Sequence, residues 1–399
     1  MLTSLALIFI VGLAMGAICS RLKLPRIIGM LVTGIVLGPY VLGFLDPSIL
    51  SISEELRKMA LIIILLKAGL SLDIKDLKKA GRPAILLSFV PATCEIIGYI
   101  LFAPAILGIN MIEAAVMGAV LGAVSPAVVV PRMVNLMDRK YGTQKAIPQM
   151  IMAGASCDDI FVIVLFTTFL SMAQGGSAQI LDFVNIPVSI ILGILLGAVV
   201  GYGLYLFFET SYAHKHCVRN SMKVIIVLGF SFLLIAIEGW LKGKISVSGL
   251  LAVVSMACII KMKSTAFVSK RLSEKFGKLW LAAEVMLFVL VGAAIDIRYT
   301  LSAGIAAVLM ILVALIFRAI GVLICMIKTN LTWKERAFCV IAYLPKATVQ
   351  AAIGSVPLAS GLACGKIVLS VAVLAIIITA PLGSIGIDNT YKKFLQKES

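Results

Sequence analysis

The chain has 399 residues, of which 61% are apolar and 14% charged, and its formal net charge is +16. Soluble domains are about half apolar and about a quarter charged, so this chain has more apolar surface than a water-surrounded core can bury. The composition excludes a soluble enzyme, a nucleic-acid-binding domain and a disordered protein, and it favours a chain that spans a lipid bilayer.

Thirteen apolar segments approach or exceed the roughly 20 residues that cross a bilayer as a helix. In chain order, predicted helices 1 to 13 cover residues 2–19, 27–45, 56–72, 83–107, 112–134, 147–173, 183–209, 220–240, 245–260, 279–296, 301–327, 335–359 and 363–385. Residues 1–20 contain no Lys or Arg, unlike a signal peptide, so the first segment is also predicted to span the membrane. The sequence predicts an all-α membrane protein.

The basic residues are distributed unevenly between the two ends of these helices. Of the 35 Lys and Arg residues, 26 follow odd-numbered predicted helices or lie in the C-terminal tail, and 6 follow even-numbered ones. Because Lys and Arg accumulate on the cytoplasmic side, the N-terminus is predicted outside and the C-terminus inside. The other three bases, Lys67, Arg318 and Lys346, lie deeper within the predicted helices than any of these. Lys67 is near an inner helix end, where it can extend to the interface and is predicted to be structural.

The thiols and imidazoles indicate no cofactor. The 8 Cys form no CxxC pair and lie mostly in apolar runs, which is typical of buried, unreactive thiols. The 2 His, His214 and His216, share one basic loop. The sequence therefore predicts neither a disulfide framework nor a resident metal site.

The two halves of the chain carry a matching pattern of charges and helix breaks. An offset of 223 residues relates two pairs of charges, Asp73 to Asp296 and Glu95 to Arg318. Predicted helices 5 and 12 each contain a proline-interrupted stretch, SPAVVVP (125–131) and LPKATVQ (344–350). Corresponding helices of the two repeats are seven helices apart. Because seven is an odd number, the two repeats cross the membrane in opposite directions. Inverted repeats with matched broken helices are typical of secondary transporters.

Two adjacent carboxylates, Asp158 and Asp159, lie in the middle of predicted helix 6. Burial and like-charge repulsion both make the fully ionised pair costly. The pair can therefore hold protons and exchange them for a cation, with Na⁺ predicted at these two carboxylates. If both acids titrate, two protons exchange for one Na⁺ and the cycle is electrogenic. If Asp158 stays ionised beside Lys346 or Arg318, one proton exchanges and the cycle is electroneutral. The double aspartate favours the electrogenic ratio.

The prolines of the interrupted stretches remove backbone donors and break helices. Free backbone groups at membrane depth are tolerated only where they are buried in protein or line a cavity. Freed carbonyls and nearby hydroxyls suit a hard cation, so five residues are predicted as ligands or their support: Ser125, Pro126, Val128, Lys346 and Thr348. Lys346 either neutralises the carbonyl end of a half-helix or pairs with an aspartate.

Glu95 and Arg318 occupy equivalent positions of the two repeats and carry opposite charges. Two interpretations stay open for them. They form either a structural salt bridge between predicted helices 4 and 11 or a direct part of ion coupling.

Taken in order, six segments resemble the cation:proton antiporter superfamily, and most of all the mitochondrial-type and bacterial sodium/hydrogen exchangers of its double-aspartate branch. They are LKLPRIIGMLVTGIVLGP (22–39), AGLSLD (68–73), GAVSPAVVVPRM (122–133), AGASCDD (153–159), VGAAID (291–296) and LPKATVQAAIG (344–354). The resemblance implies that the family's ion-binding aspartate corresponds to Asp159 and its partner to Asp158. Many members of this branch carry Lys at the position of Arg318.

The resemblance also implies a homodimer and a fold of two parts. Predicted helices 4–6 and 11–13 form an ion-transporting core in which the two broken helices cross beside the aspartates. Predicted helices 1–3 and 8–10 form a dimerisation scaffold, and predicted helix 7 links the parts. The implied ranges are 82–173 and 301–385 for the core, 1–81 and 210–300 for the scaffold, and 182–209 for the link.

The sequence therefore predicts an antiporter that exchanges Na⁺ or Li⁺ for H⁺ by alternating access, in a bacterial inner membrane. Two transporter alternatives stay open. One is a K⁺/H⁺ antiporter, although potassium-handling relatives often carry Gln-Asp in place of Asp158-Asp159 and have large nucleotide-binding C-terminal domains. The other is a Na⁺-coupled organic-anion symporter, which would not need two adjacent acids. A channel fits inverted repeats with a carboxylate pair less well.

Overall fold

The computed structural model describes residues 1–22, 24–71, 74–175, 180–213, 219–241, 247–296 and 304–398. Asp73, His214 and His216 lie outside these described residues. Within them the chain forms eighteen helices. They are α1 (Leu2–Arg21), α2 (Arg26–Leu37), α3 (Pro47–Ser51), α4 (Ser53–Ser71), α5 (Ile74–Leu87), α6 (Val90–Leu107), α7 (Met111–Leu121), α8 (Pro126–Asp138), α9 (Ile147–Gln174), α10 (Ile180–Ala213), α11 (Asn220–Leu241), α12 (Gly249–Lys263), α13 (Ala266–Ala293), α14 (Gly304–Cys325), α15 (Trp333–Ala342), α16 (Thr348–Ile353), α17 (Val356–Ala359) and α18 (Gly365–Phe394).

Each of the thirteen predicted segments overlaps at least one of these helices, and the all-helical membrane class is confirmed. Among the described residues, nine helical stretches are long and apolar enough to cross a bilayer, and two apolar stretches, 26–37 and 348–359, are shorter. The helix observed at predicted helix 2 is shorter than the segment 27–45, because α2 ends at Leu37 and the following residues form turns. Gly43 allows one of these turns, since its φ of +64° lies in the left-handed region.

The chain divides into two compact units. The first comprises residues 1–54, 73–174 and 285–399, and the second comprises residues 55–72 and 175–284. In the second unit, α10 packs closely on α12, because Gly197 has no side chain to hold the two backbones apart at Ala252. Lys67 also belongs to the second unit, and its Nζ lies 6.0 Å from the ring centroid of Trp280.

In the first unit, α6 and α14 cross at two glycines. A Cβ added at Gly98 would lie 2.9 Å from Cγ of Phe317, and one added at Gly321 would lie 2.7 Å from Cα of Pro91. The crossing is therefore closer than side chains at these two positions would allow. Glu95 and Arg318 lie three residues before each glycine, so the same crossing brings their side chains together.

We expect Gly321→Ala to lower thermal stability, because the new methyl group meets the backbone of Pro91, which cannot move aside by a side-chain rotation. Overpacking of this kind costs about 1–3 kcal/mol. The measurement is the melting temperature of the purified protein. Gly203→Ala in α10 is the matched control, because nothing lies within 4 Å of its added Cβ. Equal melting temperatures for the two variants would contradict the close crossing.

Candidate ion-binding site

Two helices of the first unit are interrupted, and the interruptions contact each other. The first interruption, residues 122–125, separates α7 from α8, and the second interruption, residues 343–347, separates α15 from α16. The backbone N–H of Ser125 donates to the Pro345 carbonyl at 2.8 Å, and Nε2 of Gln350 donates to the Ala123 carbonyl at 2.8 Å. Backbone groups freed in one interruption are thus bonded by the other, as burial of irregular backbone at membrane depth requires.

The first interruption lies upstream of most of the stretch predicted from the prolines, which corrects the expected position of the break. Pro126 is the first residue of α8, a position that suits proline because no helical N–H is needed there. Val128 lies in the first turn of α8, and its carbonyl accepts from Nη1 of Arg132 at 3.0 Å. Of the residues predicted in this stretch, Ser125 alone lies outside the helix, as the residue before Pro126.

Two buried cations bind the carbonyl ends of the interrupted helices. Nζ of Lys346 donates to the carbonyl of Leu121, the last residue of α7. The Arg318 guanidinium donates to the Gly122 carbonyl through Nη1 and to the Tyr343 carbonyl through Nε, both at 2.5 Å. Carbonyls at a helix C-terminus carry partial negative charge, so each cation offsets one of these ends. Lys346 thus acts on the carbonyl end of the opposite interrupted helix.

Glu95 holds the two cations together. Its Oε2 lies 2.7 Å from Nη1 of Arg318, and its Oε1 lies 2.7 Å from Nζ of Lys346. All three side chains are fully buried. The carboxylate partner of Lys346 is therefore Glu95 of α6. The sequence alone left an aspartate open as that partner, in one of the two interpretations of Lys346. The three groups form one ionic network, in which loss of any member would leave a buried charge without its partner.

The two aspartates of α9 differ in their surroundings. Oδ2 of Asp158 accepts from the Val124 backbone N–H at 2.7 Å and from Nη2 of Arg318 at 3.5 Å. Asp159 is 5% exposed, and no basic group of the described residues lies within 4 Å of its carboxylate. Asp158 therefore belongs to the ionic network, while Asp159 is an acid without a basic partner in the described part of the chain.

Four buried oxygens at the site accept no hydrogen bond and donate none among the described residues. They are Oγ of Ser125, Oδ1 of Asp158, Oδ1 of Asp159 and Oγ1 of Thr348. Buried polar atoms normally have partners, and oxygens of this kind are ligands that hard cations prefer. The described residues contain no cluster of three or more His, Cys, Asp or Glu side chains suited to a metal. Carboxylate and hydroxyl oxygens of this kind are ligands that suit a monovalent cation.

Sequence reasoning missed three supporting residues. Gln350 accepts from the Ala347 N–H and donates across to the first interruption, and Thr379 of α18 accepts from the Lys346 N–H at 3.0 Å. Tyr343 places its ring 5.7 Å from the Arg318 guanidinium carbon. Thr379 is the one hydroxyl residue in the apolar run 371–383 and could have been selected on that ground. No local pattern distinguishes Tyr343, because its role depends on the packing of another helix.

A multi-pass helical chain with two mutually bonded interrupted helices beside a buried carboxylate pair has the architecture of a secondary transporter. The family description "Sodium/hydrogen exchanger, transmembrane" matches residues 5–393. The chain belongs to this sodium/hydrogen exchanger family, and the resemblance seen in its motifs is confirmed.

Relatives and a solved structure agree with this assignment. Sodium/hydrogen exchanger 9B2 from Homo sapiens is 33% identical over 424 residues, covering 99% of this chain and 75% of the relative. Sodium/hydrogen exchanger 9B1 from Homo sapiens is 32% identical over 381 residues, covering 91% and 71%. The sodium proton antiporter MjNhaP1 from Methanocaldococcus jannaschii at pH 8 has the same fold, with a TM-score of 0.81 at 20% identity over 98% of this chain and 99% of that one.

We expect a double-mutant cycle of Glu95→Gln and Arg318→Gln to show strong coupling. Each single change leaves an uncompensated buried charge, which costs about 3–5 kcal/mol in buried pairs, and the double change recovers part of this loss. The measurement is thermal unfolding of the four purified proteins. The control cycle is Arg132 with Asp388, a pair 3.4 Å apart with Asp388 54% exposed, where coupling below about 1 kcal/mol is expected. Additive losses at Glu95 and Arg318 would contradict the network.

Proposed function

We propose that the chain is a secondary active antiporter, not an enzyme, that exchanges Na⁺ or Li⁺ for H⁺ by alternating access. One observation carries the proposal: Asp159 is a buried acid without a basic partner among the described residues, it directly follows Asp158 in α9, and one oxygen of each carboxylate has no hydrogen-bond partner there. Such a carboxylate is neutral when it binds a proton and is neutralised when it binds a monovalent cation. The two ions therefore compete for one site, since a carboxylate must lose its proton to ligate a metal.

The sequence alternatives receive less support. Relatives over nearly the whole chain are named sodium/hydrogen exchangers, which favours sodium over potassium and supports antiport over symport with an organic anion. Exchange of Na⁺ for H⁺ would serve pH and sodium homeostasis. The bacterial inner membrane remains a prediction, since the named relatives are from mammals and the solved structure is from an archaeon.

The contacts at the α6–α14 crossing support an inverted repeat. Gly98 and Gly321 are 223 residues apart, as are Cys94 and Phe317. A Cβ added at Gly98 would contact Phe317, and one added at Gly321 would contact Cys94. The offset of 223 residues relates Gly98 to Gly321 and Cys94 to Phe317, so each contact is the repeat-related copy of the other. A two-fold arrangement produces such reciprocal pairs, and it brings a residue on the axis against its own equivalent. Glu95 and Arg318 form that axial pair, at 2.7 Å.

We further propose thirteen membrane crossings with the N-terminus outside and the C-terminus inside, on the basis of the helix positions and the 26-to-6 distribution of Lys and Arg. The mutual hydrogen bonds of the two interruptions support a pair of crossed broken helices. The core, scaffold and linking ranges, and the homodimer, stay predictions from the family resemblance.

The charges of the network support one proton per Na⁺ rather than two. Glu95 and Asp158 carry two negative charges, and Arg318 and Lys346 carry two positive ones, so these four groups balance. Only Asp159 then changes its protonation, and the site has the same net charge with a proton as with Na⁺. The sequence favoured two protons because adjacent acids suggested that both titrate, but the Asp158 carboxylate has a guanidinium and a backbone N–H as partners.

We expect Asp159→Asn to abolish exchange while leaving the protein folded. An amide neither releases a proton nor supplies negative charge to a cation. The measurement is Na⁺-driven proton movement in proteoliposomes, with gel filtration and melting temperature as checks on folding. Asp388→Asn is the matched control, because Asp388 is half exposed and makes only a surface ion pair, so it should retain exchange. Exchange at the rate of the unmodified chain in Asp159→Asn would contradict the proposed role of Asp159.

We also expect exchange to be electroneutral. If net charge moved, membrane voltage would contribute about 2.3 kcal/mol per charge per 100 mV, and the Na⁺ gradient that balances a fixed pH gradient would shift with voltage. The measurement is that balance point in proteoliposomes clamped by K⁺ and valinomycin at zero and at an inside-negative voltage, with protein-free liposomes as the leak control. A balance point that moves with voltage would contradict the one-proton scheme.

A further inference from the structure

A basic cavity lies in the first unit, away from the network of Glu95 and the aspartates in sequence and in its contacts. Its volume is about 420 Å³, and it is lined by residues 138–141, at the end of α8, and by three residues at the end of the chain. Those three are Tyr391 and Lys392, in the last turn of α18, and Lys397, beyond it. The proposed function makes no use of these residues.

The cavity walls are held in place by the backbone and by stacked rings. The Gly142 N–H donates to the Gln396 carbonyl at 2.8 Å, and the Glu398 N–H donates to the Lys140 carbonyl at 2.8 Å. The rings of Tyr141 and Tyr391 pack edge to face with their centroids 5.0 Å apart. The residues after α18 therefore run antiparallel to residues 140–142 as a fixed wall of the cavity.

Four cations line this cavity against one carboxylate. Arg139 donates from Nη1 to Oη of Tyr391 at 3.1 Å, which fixes its guanidinium at the cavity wall. Nζ of Lys392 lies 5.9 Å from the Tyr391 ring centroid, and Nζ of Lys397 lies 5.9 Å from that of Tyr141. Lys140 is the fourth cation. Aromatic faces attract cations without neutralising them, so the cavity keeps its positive charge.

The only acid in the lining is Asp138, and no carboxylate of the described residues lies within 4 Å of any of the four cations. The general excess of basic residues at this end of the helices explains Lys and Arg in loops. It does not explain why four of them line one concave space, three of them in contact with its two tyrosines. Lys140 has a φ of +60° at the position after a helix end, where glycine is usual.

We propose that this cavity is a binding site for a phosphate-bearing anion. A guanidinium and several ammonium groups around one cavity form an arrangement that recognises phosphate oxygens. The phosphate belongs either to the headgroup of an anionic lipid, for which basic pockets at the cytoplasmic ends of transmembrane helices are suited, or to a soluble phosphate ester. The cavity is within the range of about 300–1,000 Å³ typical of small-ligand sites.

The cavity has a direct covalent link to the helix that carries the aspartates. Residues 138–142 lead within five residues into α9, and the Ile147 N–H donates to the Gly142 carbonyl at 3.0 Å. An anion held between this loop and the end of α18 would therefore fix the start of α9 relative to the chain end. Binding at the cavity is expected to stabilise this part of the first unit.

The test compares two double variants of equal charge change in the purified full chain. Lys140→Gln with Lys397→Gln removes two cations from the cavity, and Lys334→Gln with Lys393→Gln removes two exposed cations outside it. Binding is measured by native mass spectrometry and by the shift in melting temperature. The lipid arm uses dioctanoyl phosphatidylglycerol against dioctanoyl phosphatidylcholine, and the soluble arm uses potassium pyrophosphate against potassium chloride of equal ionic strength.

We expect the unmodified chain to bind one phosphatidylglycerol or one pyrophosphate, with affinity reduced about tenfold or more in the cavity variant and about unchanged in the control variant. Binding in the lipid arm alone identifies a lipid headgroup, and binding in the soluble arm identifies a free phosphate anion. Equal losses in the two variants, or no binding by the unmodified chain in either arm, would overturn the proposal. Neither variant alters the network of Glu95 and the aspartates, so Na⁺/H⁺ exchange tests the proposed function separately.

Discussion

The fully buried carboxylate of Glu95 is the group on which the two interrupted helices depend. It allows Arg318 and Lys346 to be buried together, each 2.7 Å from one of its oxygens. Those two cations in turn bind the carbonyls at which α7 and α15 end. A helix that stops in mid-membrane leaves backbone groups that lipid cannot satisfy. The negative charge of Glu95 therefore allows Arg318 and Lys346 to be buried where the backbone carbonyls of the two interrupted helices need hydrogen-bond donors.

This arrangement also separates the roles of two chemically identical neighbours. Asp158 faces Arg318 and the Val124 N–H, so it completes the charge balance of the network. Asp159 is the next residue, and a helix turns about 100° per residue, so it faces a different direction. Its carboxylate has no base among the described residues to neutralise it. In the proposed mechanism, a proton or a cation must supply that neutralisation, which makes the two ions alternatives at one site.

The sequence predicted the membrane class, and its apolar segments overlap the observed helices, because apolar length is a local signal. The site residues that it selected from buried charge stay predictions. It did not predict the position of the first interruption, since the prolines mark where α8 begins rather than where α7 ends. It also left the partner of Lys346 open between a carbonyl end and an aspartate. The actual carboxylate is Glu95, 251 residues away, which only packing can bring to it. Gln350 was missed for the same reason, since its side chain in α16 donates to the first interruption.

The proposed inverted repeat explains why its sequence symmetry fails at Glu95 and Arg318. A residue on a two-fold axis meets its own equivalent, so two identical charges there would be forced together in a buried place. Two glutamates or two arginines at 2.7 Å would repel each other strongly in a medium of low polarity. Positions away from the axis carry no such constraint, and Gly98 and Gly321 keep the same residue in both halves. In the proposed repeat, opposite charges on the axis replace this repulsion with the ion pair of Glu95 and Arg318, which anchors the site.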